Sequence, residues 1–211
     1  MKKGLNAEIL SVAARFRPES MEDQTRERLS LFIEDIREMG VKTHLVGKEH
    51  LRKNILRQFV DSIMLLNLFE KEYEGSGAIA DIGSGAGFPG MVWKILAPEL
   101  EITLMEKKSK LASFLAREAK RLKLDDIDIF EGRAEEAGKG YYRAVVSKAA
   151  GKLERMLPVA DRLLGEGGVY LTVKGTGYGS GERVEGRGRM KLSRSVEMGK
   201  NRGRAVIFRK T

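Results

Sequence analysis

The 211-residue sequence contains no cysteine. That absence removes disulfides, thiolate nucleophiles and cysteine metal sites together. Its two histidines, His44 and His50, lie close together in a polar stretch, a poor basis for a zinc site, so no metal is expected. No run approaches the ~20 apolar residues that a membrane span requires. The opening residues, Met1 to Glu8, turn polar too soon for a signal peptide, which leads us to expect a cytoplasmic protein with no membrane partner. Acidic residues are scarce towards the end. From Lys174 onward eleven Lys/Arg face three Glu, so this tail carries +8 of the net charge of +9. Such a surface attracts polyanions, with a solvated, solubilising tail as the plain alternative.

With 42% hydrophobic residues the chain can fill one good core, or a core and a small appendage. Two patterns divide it. Residues 21–39 predict an amphipathic helix with Leu29, Phe32, Ile33 and Ile36 on one face, ended by Gly40. A second helix, from about 48 to 73, carries Leu51, Ile55, Leu56, Phe59, Ile63, Leu66 and Phe69. Glu74-Gly75-Ser76-Gly77 breaks the pattern, placing a boundary between a helical region 1–75 and a second region 76–211.

Beyond it, apolar runs at 78–82, 101–105, 127–130, 143–147 and 168–173 predict strands. Helical patterns at about 89–96, 108–123 and 152–164 fall between some of them. This alternation implies a mostly parallel sheet covered by helices on both faces, an α/β Rossmann-like architecture. Ala205 to Phe208 predicts a last, antiparallel strand at one edge, and the glycine-rich stretch 175–188 a mobile loop.

The most informative segment runs from Asp81 through Gly83, Gly85 and Gly87 to Phe88-Pro89-Gly90. A strand enters a turn with four glycines in eight residues, more than a plain strand-to-helix turn needs; such a turn lets a ligand approach the backbone. The spacing satisfies the dinucleotide pattern as well as the acidic glycine loop of class I methyltransferases. Charge separates them. Asp81 would repel a diphosphate and attract the sulfonium and ammonium of S-adenosylmethionine. Glu106, at the end of the second strand, is placed to bind ribose hydroxyls. Lys148 and Lys174 follow strands four and five on the edge where ligands bind, and suit a cofactor carboxylate or an RNA phosphate; Arg57 and Arg133 are further RNA candidates.

From about Arg57 to Lys174 the chain resembles the bacterial 16S ribosomal RNA guanine-N7 methyltransferases, once called glucose-inhibited division protein B. The resemblance rests on Arg57 to Ser62, Asp81 to Gly90, Ile102 to Glu106, Arg133 to Glu136, Val145 to Ala149 and Val173-Lys174-Gly175. It implies methylation of a guanine N7 in the decoding-centre loop of 16S rRNA. It also implies cofactor contacts at Gly83, Phe88, Ala134, Glu135 and Lys148, where the family usually has arginine. The expected partner is ribosomal RNA or the small subunit, and the expected state a monomer. N7 carries a lone pair and no proton, so no catalytic base is expected. A methyltransferase for another RNA, a protein or a small molecule is the alternative. A nicotinamide-dependent reductase and a non-catalytic RNA-binding module stand further off.

Overall fold

The computed structural model describes residues 2–42, 48–73, 76–148, 150–175 and 186–211. Three helices come first: α1 (Lys2–Phe16), α2 (Asp23–Lys42) and α3 (Lys48–Glu72). Helix α1 was not expected, although Leu5, Ile9 and Ala13 repeat every four residues and are all buried. Helix α2 runs through Gly40 instead of ending there. A Cβ at Gly40 would come within 2.6 Å of Leu51, so this glycine serves the close approach of α2 to α3 and leaves the helix unbroken.

Strands and helices then alternate. They are β1 (Ile79–Ile82), α4 (Gly90–Leu96), β2 (Ile102–Glu106), α5 (Ser109–Arg121), β3 (Ile127–Glu131), β4 (Tyr142–Lys148), α6 (Leu153–Leu163), β5 (Leu164–Lys174), β6 (Met190–Glu197) and β7 (Arg204–Lys210). The seven-stranded sheet has the order β3-β2-β1-β4-β5-β7-β6, and β7 is antiparallel to both β5 and β6. This is the α/β, mostly parallel sheet that the alternation predicts. One strand differs. The run 205–208 lies one place in from the edge, and β6, which was not expected, takes the edge. Most of β6 is exposed and carries Lys191 and Arg194, charges that discourage pairing with another chain. The predicted loop 175–188 falls largely on residues outside those described, as does the boundary near residue 75.

Alternate side chains of each strand feed two cores, as the two-residue period of a strand requires. Ile79, Leu104, Val146, Leu171 and Ile207 face one core, shared with α1 to α5. Ala80, Met105, Val145, Tyr170 and Phe208 face the other, closed by α6 through Leu153, Leu157, Ala160 and Leu163. The first core runs without a break from Leu5 on α1 to Leu171 on β5. Three rings lock it beneath the glycine loop. Phe32 of α2 and Phe59 of α3 both pack on Phe88, with centroids 5.9 and 5.0 Å away. Further along α3, in the same core, Trp93 of α4 is buried against Phe69 and donates its indole N–H to the Ser62 carbonyl at 2.9 Å.

The order of the strands positions the site. The chain leaves β1 for β2 and β3 on one side, then returns to β4 on the other. At such a switch point the connections diverge and a crevice opens beyond the strands' carboxyl ends. Phe32→Ala should cost about 3–5 kcal/mol in urea unfolding, because it leaves a hole where α2, α3 and the loop meet. A loss below ~1 kcal/mol would show that α2 packs only peripherally.

Candidate functional site

The glycine loop is held from below by main-chain bonds. The Gly83 and Ser84 N–H groups donate to the Met105 carbonyl at 2.8 and 3.1 Å, and Ser84 Oγ donates to the Asp81 carbonyl. Two carboxylates fix the rest. Glu106, the last residue of β2, accepts the Gly85 N–H at 3.0 Å on one oxygen and the Lys108 N–H at 2.9 Å on the other. Each oxygen keeps a lone pair for a further donor. Gly85 sits at φ +57, where a Cβ would meet nothing closer than 3.8 Å. Its missing side chain leaves room that a ligand can use.

Asp81 behaves differently from its expected role at the ligand. Asp81 shares the strand face of Ile79, so its carboxylate points under α4 and accepts the Gly90 N–H at 3.0 Å. It is fully buried and lines neither cavity. Its second oxygen has no hydrogen-bond partner among the described residues. Burial pushes its carboxyl from an ordinary 3.8 to about 6, against the pull of the Gly90 N–H, Ser84 and Lys148. Gly87 is likewise buried away from both cavities, against Met91 and Phe32.

Two cavities flank the loop and share Gly83 and Gly85 as walls. The first, about 420 Å³, lies over the ends of β1 to β3 and is lined by Glu106, Lys108, Arg133, Ala134 and Glu135, among others. Ala134 is buried and opens the 3-10 turn Ala134–Glu136. Arg133 therefore stands beside the candidate cofactor residues. The second cavity, about 560 Å³, is bounded by the loop, α3 and the ends of β4 and β5. It brings together Phe88, Lys148, Lys174 and Arg57. Lys148 lies 4.9 Å from the Phe88 ring centroid and donates to the Gln58 carbonyl at 3.3 Å. Burial lowers its ammonium from 10.5 to about 8, with Asp61 and Asp81 pulling the other way. Lys174 donates to the Gly151 carbonyl at 3.1 Å, and burial lowers its pKa as well.

Sequence reasoning missed Arg202. It reaches the second cavity from the turn between β6 and β7 and donates to Asp61 Oδ1 at 2.8 Å. One arginine among eleven basic tail residues carries no mark of its own. Only the pairing of β7 with β5, which sets Arg204 opposite Lys174, brings that turn to the site.

A family model described as rRNA small subunit methyltransferase G matches residues 25–198. The chain belongs to this family. Proteins named ribosomal RNA small subunit methyltransferase G are among its relatives. That of Desulfitobacterium hafniense is 36% identical over 71% of this chain and 63% of its own length. That of Sorangium cellulosum is 38% identical over 56% of this chain and 51% of its own. The chain thus matches between half and two thirds of these relatives' lengths. Among solved structures, a SAM-dependent methyltransferase from Aquifex aeolicus aligns with a TM-score of 0.53 at 12% identity, over 69% of this chain and 89% of the other. M. jannaschii TYW2 in complex with AdoMet aligns at 0.54 and 14%, over 71% and 75%. At these identities the likeness is one of fold, that of the class I methyltransferases. Among the described residues no cluster of His, Cys, Asp and Glu suits a metal, and no helix is long and apolar enough to cross a membrane.

Asp81's burial has a measurable cost. A carboxyl whose native pKa is raised destabilises the fold fully above about pH 6 and not at all below its unfolded value. Asp81→Asn should therefore gain stability relative to the parent, by up to about 3 kcal/mol, between about pH 4 and pH 8. Urea melts at the two pH values that shift in parallel would contradict a charged, buried Asp81.

Proposed function

We propose that the chain transfers a methyl group from S-adenosylmethionine to N7 of a guanine in the decoding-centre loop of 16S rRNA, as a cytoplasmic monomer. Membership of the rRNA small subunit methyltransferase G family supports the reaction class. The observation that carries it is the pair of cavities meeting at Gly83 and Gly85, one suited to a nucleoside and one lined by cations.

The residues fit the donor. Glu106 has two lone pairs to offer ribose hydroxyls, and Gly85 leaves space where any other residue would place a Cβ. Ala134 and Glu135 lie where the adenine would rest, and Gly83 and Phe88 lead to the second cavity. Asp81 acts on this reading through the loop, at one remove from the ligand. When bound, S-adenosylmethionine supplies a methyl group on a sulfonium, ready for attack by a lone pair.

The chain's own residues then have a limited task. N7 uses an in-plane lone pair, the new nitrogen–carbon bond forms as the carbon–sulfur bond breaks, and no proton leaves. Positioning and exclusion of water suffice. The site accords with that. Lys148, with its pKa at about 8, is mostly protonated at neutrality and presents a cation to the substrate there. Asp61 is tied to Arg202 and Arg57. The Arg57, Lys148 and Lys174 cations suit the phosphates around an acceptor base held in a loop or flipped from its stack.

The test uses small-subunit RNA carrying 7-deazaguanosine at the acceptor, together with a single-turnover pH profile on the natural RNA. The deaza RNA should bind and stay unmethylated. The rate on natural RNA should be flat between about pH 6, where Asp81 takes up a proton, and about pH 8, where Lys148 loses one. Methylation of the deaza RNA, or a rate rising tenfold per pH unit through neutrality, would point to an exocyclic amine or ribose hydroxyl instead.

A further inference from the structure

The second cavity holds four cations among its described lining residues, Arg57, Lys148, Lys174 and Arg202, and a single carboxylate, Asp61. The cations are what a phosphate-bearing substrate requires. The carboxylate is not, since it repels phosphate. Burying a charge also costs free energy unless the geometry rewards it. Asp61 is only 5% exposed, so it needs a reason to be there.

Its ion pairs supply part of one. Arg202 donates to Oδ1 at 2.8 Å, and Arg57 Nε stands 3.6 Å from Oδ2, too far for a hydrogen bond. Two carboxylate oxygens offer about four acceptor positions, and these contacts fill one. The remaining capacity lies at the wall of a cavity whose other wall is the glycine loop.

The chemistry of the acceptor gives that capacity a use, and here the argument rests on the reading that guanine N7 is methylated. A guanine with N7 turned to the loop presents its Watson–Crick edge, roughly at right angles to the N7 lone pair, to the adjoining wall. That edge carries two adjacent donors, N1–H and the N2 amino group, followed by the O6 acceptor. A carboxylate pairs with the two donors side by side, and a neighbouring guanidinium or ammonium suits O6. Adenine has an acceptor at N1 and no amine at C2, so the same carboxylate repels it. We propose that Asp61 is a specificity residue, reading the N1–H and N2–H groups of the acceptor guanine, with Arg202 and Arg57 holding its carboxylate in place.

The experiment replaces the acceptor guanosine with inosine, which keeps N1–H and N7 and lacks only the N2 amine. Parent and Asp61→Asn are compared on both RNAs by kcat/KM. The parent should prefer guanosine by roughly tenfold or more, the worth of one hydrogen bond to a charged group. Asp61→Asn should fall on guanosine and lose most of that preference, the ratio moving towards one. A uniform loss on both RNAs with the ratio unchanged would show that Asp61 only holds the arginines, and would overturn the proposal. So would a parent that methylates both RNAs equally, a result that needs no folded variant. A parent that methylates neither would overturn the rRNA reading itself, and this proposal with it.

Discussion

Two carboxylates at the ends of neighbouring central strands hold one loop. Asp81 takes the Gly90 N–H from beneath α4, and Glu106 takes the Gly85 N–H from the end of β2. Between them the backbone turns through positive φ at Gly83, Gly85 and Gly87, and that turn separates and joins the two cavities. Each anchor answers a different demand. Glu106, although buried, lines a cavity wall and can serve a ligand while it fixes the loop. Asp81 is sealed, with one oxygen unpartnered among the described residues. The loop's shape thus depends on a charge that the interior disfavours, a form of local cost commonly met where a fold has been shaped for binding.

The helices at the start of the chain are part of the same construction. Phe32 and Phe59 pack on Phe88, so α2 and α3 fix the loop from the side while the carboxylates fix it from below. Helix α3 then supplies Arg57 and Asp61 to the second cavity, and the turn between β6 and β7 supplies Arg202. Residues drawn from both ends of the chain meet over the central strands. An acceptor bound there would touch elements that no single contiguous segment provides.

Much of this was legible in the sequence because local patterns carry it. The strand-to-glycine-loop segment from Ile79 to Gly90, the place of Glu106 and the stripe Leu29, Phe32, Ile33, Ile36 all follow from short-range periodicity and turn chemistry. Two elements escaped. The buried face of α1 is Leu5, Ile9 and Ala13, but Ala7, Leu10 and Val12 between them blur its period, and β6 exposes most of its length, so neither shows strong contrast. Asp81 escaped for another reason. Its direction was misjudged, although strand alternation places it with Ile79, facing α4. Arg202 depended on a long-range strand pairing that no local window contains.

The central claim is that Glu106 and the glycine loop form the nucleoside end of a methyl-donor site, and calorimetric titration of the chain with S-adenosylhomocysteine tests it most directly. The parent should bind one equivalent and should not bind NAD. Glu106→Gln, which keeps one acceptor oxygen but loses the charge that both ribose hydroxyls would share, should weaken binding by roughly tenfold or more. Equal affinity in parent and Glu106→Gln, or binding of NAD with no response to the methyl-donor product, would contradict the account.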